Sequence, residues 1–259
     1  MDQVIAWILS LMTSVSPVGR PQYVPEAKES VEEATVRYDS IAKDVIDVVF
    51  DPNEKPLFSG AKARIKTVSV LLAVANFESG FRRDVDLGIG PRSKGDSGAS
   101  WCLNQINLGK VDLKGNTPRR IVVSIGKGFK FTKDKDIGWS GPDLVADRKK
   151  CFRAALALMR SSFASCGNNT PLDEKLQVYG SGSCGKGILG SKRRMRLAFI
   201  WASRAPDLKD QAIIDLVAQE KNTEDPSSDF RLGLNFSAYS SNPISFPETY
   251  PPLLKLESL

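Results

Sequence analysis

The segment VSVLLAVANFESG, from Val68 to Gly80, constrains this chain more than any other. It completes a predicted helix from about Ala61 to Phe77 that is basic at its start and apolar nearly all round from Val68 onward. A helix without a polar face must be covered on every side, so this one is expected at the centre of the fold. The run ends by placing a carboxylate, Glu78, just before its first glycine. Burying a carboxylate is costly unless it is paired, hydrogen-bonded or protonated, so Glu78 needs either a partner or a purpose.

The flanking segments predict the helices that would cover it. Residues 26–50 follow Pro25 and carry four early glutamates. Val31, Ala34, Tyr38, Ile41, Val45 and Val48 recur at helical spacing, as in an amphipathic helix. From Arg82 to Gly109 the chain becomes rich in Gly, Ser and Asp, the composition of a small irregular hairpin region. RRIVVSIG, within the basic connection from Lys110 to Gly141, reads equally as a strand or a helix. The stretch starting PDLVADRKKCFRAALAL predicts one helix of about six turns, with Gly167 as its stop. After LDEKLQV and the glycine-rich YGSGSCGKG, two more helices are expected at Lys192 to Ser203 and Leu208 to Glu220.

Three parts follow: an N-terminal apolar helix and linker over 1–25, a main domain over 26–221, and an irregular tail over 222–259. The apolar run from Val4 to Met12 is too short to span a bilayer, and no basic residue precedes it as in a secretory signal. It reads as a helix packed on its own domain or on a partner, with a membrane-surface or export element as the alternative. No transmembrane span is expected.

What the chain lacks narrows its chemistry. It has no histidine, which removes a Ser/His/Asp or Cys/His nucleophile pair and a His-ligated zinc. Its four cysteines, Cys102, Cys151, Cys166 and Cys184, show no C-x-x-C spacing. Neither a metal nor an organic cofactor is implied, and carboxylates are the groups left to carry lytic chemistry. Cys151 and Cys166 fall on one predicted helix, roughly 22 Å apart at about 1.5 Å per residue, so they cannot bridge each other. Two complete pairings stay open, Cys102 with Cys151 plus Cys166 with Cys184, or Cys102 with Cys166 plus Cys151 with Cys184. Four unpaired thiols are the third alternative. The net charge of +6 favours an anionic partner without naming it, and no nucleic-acid motif is present.

The motifs ESGF at Glu78 to Phe81, GDSGASWCLNQIN at Gly95 to Asn107 and VYGSGSCG at Val178 to Gly185 together resemble the lysozyme-like superfamily, in particular goose-type lysozymes and lytic transglycosylases. The Y-x-x-G-x-C pattern and the basic helix after it are similar to enzymes of phages and mobile elements. The resemblance covers about residues 60–205. It implies a mainly α (α+β) lysozyme-like domain with a small β-hairpin region, acting on the β-1,4 bond between N-acetylmuramic acid and N-acetylglucosamine. Peptidoglycan glycan strands would be the substrate, with virion or secretion-apparatus proteins as partners for the two termini. The setting would be a phage virion or the bacterial periplasm and cell wall. This sequence departs from the family pattern at Cys102, where a glycine is usual, at Asn104, where a methionine is usual, and at Gly180, where an asparagine is usual.

By that resemblance Glu78 is the catalytic acid, and Gln105 and Tyr179 are substrate-binding residues; Ser79, beside Glu78, and Trp101, as a sugar-stacking platform, are the further substrate-binding candidates. Asp96 is the second carboxylate that an inverting hydrolase requires. A transglycosylase needs only Glu78, because the muramyl C6 hydroxyl attacks internally. Asp84 and Asp86 are further candidates for a second carboxylate. Plainer roles exist for each: Glu78 paired with Arg82 or Arg83, Asp96 forming a turn, Gln105 satisfying hairpin backbone, and Tyr179 and Trp101 as core anchors. Arg193, Arg194 and Arg196 read as a solvated face. A wall-binding or virion structural protein without turnover, and a hydrolase of the peptide stems, are the rival functions.

Overall fold

A helix from Ala63 to Ser79 (α3) runs through the core, with Ile65, Val68 and every residue from Val70 to Ala75 buried. The computed structural model describes residues 2–19, 24–110, 117–185 and 189–223. In chain order the other helices are α1 (Asp2–Val15), α2 (Val31–Val49), α4 (Arg83–Leu87), α5 (Gly141–Ala146), α6 (Arg148–Ser165), α7 (Leu172–Ser181), α8 (Leu189–Ser203) and α9 (Asp210–Thr223). Two small antiparallel sheets complete the fold. Strand β1 (Ser100–Trp101) pairs with β2 (Ile106–Asn107), and β3 (Arg120–Ser124) pairs with β4 (Gly128–Thr132). The chain is therefore mainly α-helical, as its periodicity predicts.

Helix α3 packs most extensively on α8, and α1, α2, α6 and α9 also contact it. Its all-round apolar surface thus meets helices on several sides. The first helix belongs to this same core: Val4, Trp7, Ile8, Leu11 and Met12 are buried in it, and the Trp7 indole N–H donates to the Trp201 carbonyl at 3.3 Å. A boundary at residue 25 therefore does not separate two packing units. Among the described residues no helix is long and apolar enough to cross a membrane.

Local chemistry moves several boundaries from their expected places. Helix α2 starts at Val31 rather than just after Pro25, because Ser30 caps it: Ser30 Oγ accepts from Glu33 N while the Glu33 carboxylate accepts from Ser30 N. The expected six-turn helix is broken in two at Asp147, whose extended backbone ends α5 and whose carboxylate caps α6 by accepting from Lys149 N and Lys150 N. RRIVVSIG contains a strand, β3, with Ile121 opposite Phe131 and Val123 opposite Phe129 on its core side. The region from Arg82 to Gly109 holds the short helix α4 as well as the β1–β2 hairpin. Apart from residues 222 and 223, which end α9, the proposed tail of 222–259 lies outside the described residues.

The cysteines form the first of the two pairings, Cys102–Cys151 and Cys166–Cys184. One bridge fastens the β1–β2 hairpin to α6. The other joins the end of α6 to the segment after α7.

Candidate active site

Glu78 occupies the last turn of α3, one residue before the C-terminal Ser79. Gly80 stops the helix in the left-handed region, with φ at 59°, where glycine has no Cβ penalty, and Phe81 follows at φ 52°. Three side chains hold this turn. Ser16, just past α1, donates to the Gly80 carbonyl at 2.8 Å; Arg37 of α2 donates to the Phe81 carbonyl at 3.0 Å; and Tyr38 donates to the Ser16 carbonyl at 2.9 Å. The first two helices thus fix the backbone just beyond Glu78.

The Glu78 carboxylate is largely buried, its side chain 22% exposed, and Arg194 of α8 meets it at 2.7 Å. Burial pushes the Glu78 carboxyl above its ordinary range, the Arg194 guanidinium opposes that shift, and the negative charge of Asp96 adds to it. Arg82 and Arg83, the nearby arginines, are engaged elsewhere, with Asp84 at 3.0 Å and Glu33 at 3.4 Å. The guanidinium of Arg194 also lies over the Phe77 ring, 5.7 Å from its centroid. Nothing in SKRRMRLAFIW distinguishes Arg194 from Arg193 and Arg196 by type. Its helical phase does, because Arg194 shares a face with the buried Ala198 and Trp201.

Tyr179 stands in the last turn of α7. Its hydroxyl donates to the Asn104 carbonyl at 2.7 Å, and the fully buried Asn104 amide donates to the Leu71 carbonyl of α3 at 3.2 Å. This chain of bonds links α7, the hairpin and α3. Burial, reinforced by the Glu78 charge and opposed by Arg194, lifts the Tyr179 phenol well above its usual value, so it remains a hydrogen-bond donor. Asn104 thereby makes the central polar link.

A 3-10 turn over Asp96–Gly98, just before β1, brings Asp96 close enough for its charge to act on Glu78. Asp96 Oδ2 accepts from Ser100 Oγ at 2.6 Å and from Asn107 Nδ2 at 3.0 Å. Asp96, Ser97, Cys102 and Gln105 all have φ between 50° and 60°, a concentration of left-handed non-glycine backbone in one short segment. Such strain persists where surrounding structure over-determines it, and the Cys102–Cys151 bridge and the Gln105 side chain supply that determination here.

The remaining sequence candidates turn inward. Gln105 Oε1 accepts from Gly95 N at 2.6 Å, and Gln105 Nε2 donates to the Cys102 carbonyl at 2.9 Å, so its amide closes the loop on itself. Ser79 is buried, donating to the Ala75 carbonyl at 2.7 Å and accepting from Phe81 N at 3.2 Å, which caps the helix end. Trp101 is partly buried. The Lys94 ammonium lies 4.1 Å from its ring centroid, and the Gly141 backbone sits so close that a Cβ there would come within 2.1 Å of the ring. Asp84 and Asp86 are both buried and committed to ion pairs, Asp84 with Arg82 and Asp86 with Arg148 at 2.7 Å. Among the described residues no group of three or more Cys, Asp or Glu side chains is gathered to hold a metal ion.

Fold and site together define a mainly α-helical protein in which a largely buried glutamate ends the central helix, beside an arginine, a partly buried tyrosine and a strained hairpin. Comparison with protein-family models, with curated proteins and with solved structures finds no match to this chain.

Proposed function

We propose that this chain has a lysozyme-like fold and is a peptidoglycan lytic transglycosylase that uses Glu78 as its single acid and base. The observation that carries the reading is the setting of Glu78: a carboxyl at the end of a buried helix, with its pKa raised by burial. A raised pKa lets the carboxyl keep its proton to higher pH than an ordinary glutamate, which is the direction a general acid needs. The protonated Glu78 gives its proton to the glycosidic oxygen as the bond from C1 of the muramyl sugar to that oxygen breaks. The resulting carboxylate, stabilised by Arg194, takes the proton from the C6 hydroxyl as O6 bonds to C1. The products are a free 4-hydroxyl and a 1,6-anhydro sugar, with no water consumed.

Asp96 favours a second reading, that of an inverting muramidase. Its carboxylate is oriented by Ser100 and Asn107 and its charge is felt at Glu78. There it would activate a water on the opposite face of the sugar from Glu78. Mass spectrometry of fragments released from purified sacculi separates the two. Anhydromuropeptides that vanish with Glu78→Gln are expected. Reducing-end products lost with both Glu78→Gln and Asp96→Asn would establish the muramidase, and no release by the unaltered chain would overturn both. Action in the periplasm or cell wall, or from a phage particle, belongs to the same proposal.

A further inference from the structure

Helix α8 turns Arg194, Met195, Ala198 and Trp201 toward the core and presents a different chemistry outward. Lys192, Arg193, Arg196, Phe199 and Ile200 share its solvent face, and Arg204 follows just beyond its end. At about 100° per residue these positions cover an arc of roughly 120°. The helix contains no acidic residue, and the side chains of these four cations make no ion pair with another described residue. Asp207, the next acid along the chain, is held by Lys62 at 3.0 Å. The two apolar members are well exposed, Phe199 at 43% and Ile200 at 38%. Phe199 is also held in place: its ring lies 6.3 Å from that of Phe58, which lies 6.0 Å from that of Phe163.

We propose that the outward face of α8 docks on an anionic lipid surface, with Phe199 and Ile200 entering the headgroup layer and Arg193, Arg196 and Arg204 on lipid phosphates. A face of cations alone would suit any polyanion. A phenylalanine and an isoleucine set between arginines suit an interface that is charged at its surface and apolar beneath it. The helix has 15 residues, about 22 Å, so it offers a contact lying in the plane of the bilayer and not across it. This contact does not depend on which bond, if any, Glu78 cleaves.

The test is cosedimentation of the full chain with vesicles of phosphatidylcholine, with and without phosphatidylglycerol, at low and high salt. Binding is expected only with phosphatidylglycerol and should weaken as salt rises. Arg193→Glu with Arg196→Glu should reduce it by about tenfold or more. Phe199→Ser with Ile200→Ser should reduce it at unchanged net charge, circular dichroism confirming the fold of each variant. Lys127→Glu with Lys130→Glu, which alters exposed cations at the β3–β4 hairpin by the same net charge, should leave binding nearly intact. The proposal is overturned by equal binding to both vesicle types, by equal loss in the hairpin variant, or by no binding to either. It is also overturned if the α8 face holds DNA, sacculi or a second copy of the chain while vesicles do not bind.

Discussion

Arg194 Nη2 lies 2.7 Å from Glu78 Oε1, joining the first half of α8 to the last turn of α3. The pair brings together an arginine from a run of basic residues and a carboxylate at the end of an apolar one. Burial and the guanidinium pull the Glu78 carboxyl in opposite directions, and burial prevails.

A raised pKa makes the stability contributed by Glu78 depend on pH. The folded chain holds this proton more tightly than the unfolded chain, so the contribution is fully present below the ordinary value of 4.5 and is lost as pH rises through the higher folded value. Glu78→Gln keeps the shape and cannot ionise. Its melting temperature is expected to match that of the parent in acid and to exceed it at neutral pH, as read by calorimetry across that window. A parent more stable than the variant at neutral pH would contradict the assignment.

Removing the opposing charge should move the carboxyl further. In Arg194→Gln the pKa of Glu78 is expected to rise above that in the parent, while Arg194→Lys should fall between the two. Carbon-13 NMR of the Glu78 carboxyl against pH reads this directly. A downward shift in Arg194→Gln would mean that the pair seen here does not govern the group.

Gln105→Ala should act on stability before it acts on any ligand. Its amide satisfies Gly95 N and the Cys102 carbonyl, and leaving such partly buried groups without partners costs about 1–3 kcal/mol. Urea denaturation measures the loss. Unchanged stability together with weaker glycan binding would instead return Gln105 to the role of a sugar ligand.

The two disulfides should contribute unequally. The Cys102–Cys151 bridge spans a sequence separation of 49 and the Cys166–Cys184 bridge one of 18, which on chain entropy gives about 4 and about 3 kcal/mol respectively. Paired Cys→Ser variants compared by guanidinium denaturation test the order. Loss of the first bridge should also loosen the hairpin whose Ser100 and Asn107 hold Asp96, read as faster amide exchange at Ser100 and Leu108, whose N–H groups donate to the Gly95 and Ala99 carbonyls.

Helix α1 should behave as core. Ile8 has no exposed surface, so Ile8→Ala is expected to cost about 2–5 kcal/mol. Thermal denaturation gives the value, and a change within a few tenths of a kcal/mol would mean that α1 is an appendage.

Much of the fold is legible in local pattern. The all-round apolar run from Val68 marks α3 as central, and the spacing of Tyr38, Ile41 and Val45 marks the buried stripe of α2. Both depend on neighbours three and four residues apart. The Asp147 break was less legible, since a single aspartate within a helical pattern serves equally as a surface residue or as a cap. Gln105 shows the same ambiguity, because an amide suits a sugar hydroxyl and a backbone carbonyl alike.

By itself the sequence determined that this chain is mainly helical, that a nearly featureless apolar helix sits at its centre, and that a carboxylate ends that helix. Only the tertiary structure decided that Arg194 rather than Arg82 or Arg83 meets Glu78, which of two cysteine pairings forms, and that Tyr179 reaches the Asn104 carbonyl. The physical reason is range. Helical periodicity records which face of an element is buried, because that is settled within one or two turns. The identity of the group waiting on the other side depends on how distant elements pack, and no local pattern encodes it.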